Sequence, residues 1–292
     1  MTFSAKAGLA RDLPPPRWLL DAAGRRLAFS AYPAQSPWLH VLISHGFGEH
    51  RGWWQHVALA FQAQGISAYT FDHFHHGMSD GVAADVADYA VLAGGLRLAL
   101  TQGVEPARAG LPVVLLAHSN GALAALKALA GPADGFAGLV LSSPLLGMPW
   151  LTVLYGWPLA RLLSLRDPGT FWPLKPRPAL LTGDRSLWNG YLEDPYRFRR
   201  ISVRFFLAMV RETRAAARQA SCQGLPLLLV SGGKDRVASL SAMDRWYQRV
   251  ASPDKRLIRY PDLQHEVFNE AAWPEVFEAV VSWLKARWAP RS

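Results

Sequence analysis

The sequence predicts an α/β fold: a mostly parallel twisted sheet with helices on both faces, an N-terminal antiparallel hairpin and an inserted helical cap. Three observations carry that prediction. Short apolar runs recur along the chain, most are separated by stretches of helical periodicity, and the alternation breaks once, between about Leu145 and Gln223. A strand followed by a helix and then another strand pairs in parallel, because the crossover carries the chain back to the same end of the sheet. The helices then cover both faces, which leaves the strands apolar along their whole length.

The elements follow in order. RWLLDA (17–22) and RRLAFSAY (25–32) flank Ala23-Gly24, a short turn that joins antiparallel neighbours. WLHVLISH (38–45), ISAYTFD (66–72), PVVLLAH (112–118), FAGLVLSS (136–143), LPLLLVSG (225–232) and KRLIRYPD (255–262) each read as a strand, being short, apolar and bounded by turn residues. Helical stretches lie between them at 52–64, 84–101, 120–130 and 239–250, and a final helix begins at Pro274. These boundaries place a core at 1–144 and 224–292, with the cap at 145–223.

Within the cap, DPYRFRRISVRFFLAMVRETRAAARQA sets Arg197, Arg199, Arg200, Arg204, Arg211, Arg214 and Arg218 beside Phe198, Ile201, Phe205, Phe206 and Met209. That is an amphipathic pattern with a basic face. It fits an ordinary solvated helix surface first, and peripheral contact with an anionic membrane surface second.

Half of the residues are hydrophobic and 18% are charged, a profile that excludes a disordered chain. With 31 Lys and Arg against 22 Asp and Glu, the net charge of +9 favours anionic neighbours. Nucleic acid is not among the expected ones, since no basic groove studded with aromatics and no zinc-finger spacing is present. MTFSAKAGLARDLPPP carries charge and prolines where a secretory signal is apolar, and no segment reaches the roughly 18 apolar residues of a membrane span. The lone Cys222 allows no internal disulfide and reads as a small buried residue. The expected location is therefore cytoplasmic, with any membrane contact at the inner face. Nothing signals an oligomeric state.

VVLLAHSNGALAALKAL (113–129) turns from strand to helix at Ser119, between Ala117 and Gly121. A sharp turn of this kind needs small residues two positions to either side, and it displays the serine hydroxyl above the sheet. A serine that merely caps the helix is the competing reading. Partners decide between them, because a nucleophilic serine needs a base and the base needs an orienting carboxylate. SGGKD places Asp235 just past one strand, and YPDLQHEVFNE places His265 just past the next. Asp262 and Glu266 are alternatives to Asp235, but both sit so near His265 in sequence that the chain would have to fold back. HGFGEH, after an early strand, supplies an oxyanion donor at the Phe47 N–H to complement that of Asn120.

HGFGEH, FDHFHHGMSD, AHSNGA, SGGKD and QHEVFNE together resemble the signature series of the monoacylglycerol lipase and lysophospholipase branch of the α/β-hydrolases, over about residues 12–288. The resemblance implies the α/β-hydrolase fold, Ser119 as nucleophile, Asp235 and His265 as its relay, and the Phe47 and Asn120 N–H groups as the oxyanion hole. It further implies a lid over an acyl-binding tunnel, a lipid ester substrate and no cofactor. His45, His118, Trp150, Trp157 and Trp188 are the expected substrate contacts, with Tyr155, Phe171 and Trp172 as further candidates to line the channel. Packing of the cap's own core is the alternative role for these aromatics.

The chain departs from that series in three places. Ala117 stands where Gly is usual, Asn120 where Met is usual, and His75 where Gly is common. The last change gathers His73, His75 and His76 beside Asp72; adjacent residues on one loop do not make a converging ligand set, so no metal is expected and the histidines read as solvated or locally hydrogen-bonded. Two rival functions remain: a proline-iminopeptidase-like serine aminopeptidase, in which Glu193 and Asp194 would hold a substrate amine, and a non-catalytic ligand-binding scaffold.

Overall fold

A computed structural model describes residues 13–131, 135–148, 156–175, 177–219 and 221–290 of the chain. The strands are β1 (Arg17–Leu20), β2 (Arg26–Tyr32), β3 (Leu39–Ser44), β4 (Ile66–Phe71), β5 (Val113–His118), β6 (Gly138–Ser142), β7 (Phe171–Pro173), β8 (Arg200–Ser202), β9 (Leu227–Gly232) and β10 (Lys255–Tyr260). The helices are α1 (Gln55–Ala63), α2 (Ala90–Leu98), α3 (Asn120–Ala128), α4 (Trp157–Ser164), α5 (Pro178–Leu181), α6 (Trp188–Glu193), α7 (Val203–Arg218), α8 (Leu240–Arg249) and α9 (Trp273–Trp288).

All eight runs read as strands enter one sheet, in the order β1-β2-β4-β3-β5-β6-β9-β10. β2 pairs antiparallel with β1 and β4, and every other neighbouring pair is parallel. Successive side chains of a strand point to opposite faces, and the core divides accordingly. Val113, Leu115 and Ala117 of β5 join one apolar cluster with α2, α3, α7 and α8. Val114 and Leu116 join the other, with α1 and α9. β3, β4, β5, β6 and β9 are buried from end to end, as a sheet covered on both faces requires. Cys222 is buried and free, and burial pushes its thiol up to about 12, so it behaves as an apolar residue.

Two elements differ from the sequence reading. The helix expected from residue 84 begins at Ala90, where the Asp88 side chain accepts the Ala90 N–H at 2.8 Å. Upstream, Ala84 takes a positive φ, its carbonyl accepts the Ser202 N–H, and Asp85 pairs with Arg204. Contacts with a distant segment here outweigh local helical propensity. The basic stretch around Arg197 is likewise not one helix. It runs as a loop, then the short β8 paired with β7, then α7, whose start is capped by the Ser202 hydroxyl accepting the Phe205 N–H at 3.1 Å. No helix among the described residues is long and apolar enough to cross a membrane.

Candidate active site

Ser119 occupies the single residue between β5 and α3, with φ 49° and ψ −112°, a conformation that side-chain-bearing residues rarely adopt. Neighbours hold it there: its N–H donates to the Ser142 carbonyl at 2.9 Å, and its carbonyl accepts from the Leu145 N–H at 3.2 Å. A Cβ at Gly121 would lie 2.4 Å from the His45 carbonyl oxygen and 2.5 Å from that of Ser44, so the turn requires glycine at this position. Although Ser119 stands at the helix N-cap, its hydroxyl makes no capping hydrogen bond. It lies instead 2.8 Å from His265 Nε2.

Backbone packing between two loops brings Asp235 and His265 together. The Gly233 N–H donates to the Tyr260 carbonyl at 2.7 Å, and the Lys234 N–H to that of Leu263 at 2.9 Å. A Cβ at Gly232 would sit 2.0 Å from the Gln264 carbonyl oxygen. The paired glycines of SGGKD therefore let the β9 loop press against the β10 loop. Asp235 Oδ2 lies 2.8 Å from His265 Nδ1, while Oδ1 accepts the Val237 and Ala238 N–H groups at 2.8 and 2.9 Å. A carboxylate only accepts, so Nδ1 carries the ring proton and Nε2 is left to accept the Ser119 hydroxyl proton.

The electrostatics agree with that tautomer. Burial pushes the Asp235 carboxyl upward, but the His265 charge, its hydrogen bond and the two backbone donors outweigh burial and hold it below the usual carboxylate value. Burial opposes charging of His265, yet Asp235 and the more distant carboxylates of Glu266 and Glu49 raise it above the ordinary histidine value. Of the two alternative acids, Asp262 pairs with Lys234 at 2.8 Å and its side chain is 83% exposed. Glu266 is bound to Tyr191 and Asn269.

Ser119 and His265 open onto a cavity of about 220 Å³. Phe47 and His118 line it. His118 is buried against Ser142 Oγ, and burial, with repulsion from His265, lowers it to about 3, so it stays neutral. The other expected contacts fall elsewhere. His45 lies beneath the loop, its Nε2 accepting the His73 N–H at 3.0 Å. Trp157 flanks a separate groove with Arg161, Arg211, Arg214 and Arg218. Trp188 donates to the Thr182 carbonyl at 3.2 Å, Trp172 packs on Phe206, and Phe171 lies under Arg200. These aromatics stabilise the segment between β6 and β9 instead of lining the cavity, whose apolar wall comes from Leu174, Pro178, Leu181, Phe198 and Val237. Trp150 and Tyr155 lie outside the described residues.

Asn120 also turns away from the cavity: its side-chain oxygen accepts the Tyr89 hydroxyl. His73 and His76 are buried, not solvated, and burial holds both well below the usual histidine value. His73 Nε2 meets Ser44 Oγ at 2.8 Å and His76 Nδ1 meets the Phe74 carbonyl at 3.1 Å. Among the described residues no group of three His, Cys, Asp or Glu side chains is arranged to hold a metal.

Sequence reasoning missed a buried polar cluster on the cavity wall. Arg197 approaches Glu266 at 3.3 Å and Glu49 at 3.9 Å, and stacks over Tyr191 at 3.9 Å and Trp53 at 4.5 Å. The Tyr191 hydroxyl donates to Glu266 at 2.5 Å. Burial and then the Glu266 charge push Glu49 up, whereas Arg197 overcomes burial and holds Glu266 down. Arg197 looked like one more cation of a basic face, and only its fold partner 69 residues away reveals its place. The cap acids weighed for an amine-binding site do not reach the cavity wall. Asp194 is buried against His50 at 2.8 Å and Trp53 at 2.6 Å, partners that overcome burial and hold it at about 2, and Glu193 faces solvent.

Comparison with known proteins places this geometry. A family profile described as Hydrolase_4, serine aminopeptidase S33, matches residues 35–272. A monoacylglycerol lipase of Mycolicibacterium smegmatis is 29% identical over 271 residues, covering 89% of this chain and 93% of that protein. Human monoglyceride lipase is 29% identical over 288 residues, covering 96% and 92%. A soluble variant of Saccharomyces cerevisiae monoglyceride lipase, solved with a substrate analog, superimposes with a TM-score of 0.85 at 20% identity, covering 97% of this chain and 98% of that one. The profile spans most of the chain, and the sheet order with its strand-to-helix turn at Ser119 agrees with it, so the chain belongs to the Hydrolase_4 (serine aminopeptidase, S33) family as a monoglyceride lipase-like α/β-hydrolase.

Proposed function

We propose that the protein is a serine hydrolase that cleaves carboxylic esters of acyl chains, of the monoacylglycerol lipase or lysophospholipase kind, through an acyl-enzyme intermediate. One observation carries the reading: Ser119, His265 and Asp235 form a hydrogen-bonded line, at 2.8 Å for each link, on the floor of an open cavity. His265 Nε2 takes the hydroxyl proton as Ser119 Oγ attacks the ester carbonyl, and Asp235 stabilises the imidazolium that forms. The N–H groups of Phe47 and Asn120 receive the oxyanion, the latter from the first turn of α3, where backbone donors have no partner within the helix. His265 then protonates the leaving alcohol, and the same ring activates the water that releases the acid.

Residues 145–223 act in this reading as a lid over the core at 1–144 and 224–292, contributing Leu174, Leu181 and Phe198 to the acyl side of the cavity. The carboxylates there favour an ester over a peptide amine, since Glu266 is neutralised by Arg197 and Glu49 is pushed toward its uncharged form. A panel of short acylglycerol esters and amino-acid arylamides tests this. Ester cleavage with arylamides untouched is the expected result; the reverse pattern would replace lipase chemistry with aminopeptidase chemistry.

A second surface supports contact with a lipid interface. Leu162 of α4 and Leu165 just past its end are exposed, at 63% and 76%, and the adjoining groove is lined by Arg161, Arg211, Arg214 and Arg218. Apolar side chains rimmed by arginines suit an anionic bilayer. Vesicles containing anionic lipid should retain more protein than neutral ones, and equal retention would remove this contact.

A further inference from the structure

The cavity over Ser119 carries more positive charge than an uncharged ester needs. Lys175, Arg177 and Arg199 line it, and all three are exposed. Among the described residues none of them has a carboxylate within 4.0 Å, and Arg199 makes only a backbone contact, to the Leu192 carbonyl. They differ in this from Arg204, Arg259 and Arg287, which pair with Asp85, Asp244 and Asp254. The two carboxylates on the cavity wall do not balance the rim, since Glu266 is matched by Arg197 and burial drives Glu49 toward its neutral form. Three exposed cations, without a carboxylate partner among the described residues, therefore line the cavity over Ser119.

Resting on the ester-hydrolase reading above, we propose that the substrate carries a phosphate-class anion on its alcohol side, as in a monoacyl glycerol phosphate, and that Lys175, Arg177 and Arg199 bind that anion. A phosphate monoester carries nearly two negative charges at neutral pH and three strong acceptor oxygens. Guanidinium groups meet such oxygens with paired N–H donors, and a lysine adds a compact charge. The apolar wall takes the acyl chain, so the ester carbonyl lies over Ser119 between the two.

The test compares hydrolysis of 1-hexanoylglycerol with that of its 3-phosphate, both as dissolved monomers, so that no bilayer contributes. A preference of about tenfold in kcat/KM for the phosphate ester is expected at low ionic strength, from rim pairs of modest individual strength. The ratio should fall toward one in Lys175→Gln/Arg177→Gln, and in the unaltered protein as salt is raised, a reading that does not depend on the variant folding. If the uncharged ester is cleaved and the phosphate ester no faster, the proposal fails while ester hydrolysis stands. If neither is cleaved, both fall. A preference seen only on vesicles would assign the cations to a membrane surface, and inorganic phosphate slowing both esters alike without any preference would assign them to a free anion; either result overturns the proposal.

Discussion

Ser119→Ala should lower kcat for ester hydrolysis by about a million-fold, the scale found when a triad serine is removed, and should abolish labelling by a fluorophosphonate probe. The fold should persist. Ser119 is nearly buried, but its hydroxyl caps no helix and among the described residues bonds only to His265, so its removal leaves no helix end uncompensated. The positive φ of 49° sharpens the test, because glycine adopts such values without strain. Ser119→Gly should therefore be equally inactive yet more stable, by about 1 kcal/mol. Thermal denaturation checks stability while probe labelling and ester assays check chemistry. Wild-type labelling that survives in Ser119→Ala would place the nucleophile elsewhere.

Asp235→Asn should cost about ten-thousand-fold in kcat, because an amide at this position favours the wrong imidazole tautomer. The geometry makes the reason specific. The Asp235 oxygens accept one ring N–H and two backbone N–H groups, and an Asn amide turned to satisfy the backbone presents N–H donors to His265 Nδ1. The pH profile should change as well. In the wild type, kcat/KM should fall as pH drops through the His265 pKa, at a midpoint above the ordinary value of 6.5, because Asp235 overcomes burial to raise it. In Asp235→Asn burial is no longer outweighed, and the midpoint should move lower. Stability runs the other way. A histidine raised in the folded state contributes stability that is fully present below its unfolded pKa and is lost as pH rises through the folded one, the range in which activity appears. Measuring kcat/KM and unfolding from pH 5 to 9 examines both. A flat wild-type rate would remove the histidine base, and an unshifted midpoint in Asp235→Asn would remove the role of the carboxylate.

β3, β4, β5, β6 and β9 were legible because each is buried on both faces, so apolar runs punctuated by turns mark them, while β1, β2 and β10, which keep exposed positions, were legible from the turn residues that bound them. Ser119, Asp235 and His265 were legible for a related reason. Backbone crossings at Gly121 and Gly232 admit no Cβ, and that steric demand is written into the residues beside the chemistry. The helix start at Ala90 was not legible, since it is decided by Ser202 and Arg204, more than a hundred residues away. Nor were the roles of the aromatic residues. Trp157, Trp172 and Trp188 satisfy hydrophobic patterning equally well in a channel wall or elsewhere, and only the tertiary arrangement put Trp172 and Trp188 into packing and Trp157 beside a separate groove.

The sequence alone determined the strand succession, the strand-to-helix turn and the identity of the three residues that meet there, because local sterics and periodicity act over a few positions. Tertiary structure decided the charge of the site. Pairing Arg197 with Glu266, burying Glu49 and leaving Lys175, Arg177 and Arg199 without carboxylates among the described residues are all consequences of long-range folding. A charged side chain looks the same in sequence whether it is solvated, neutralised or aimed at a ligand, and what separates these states is the distance to its partner and the water removed around it.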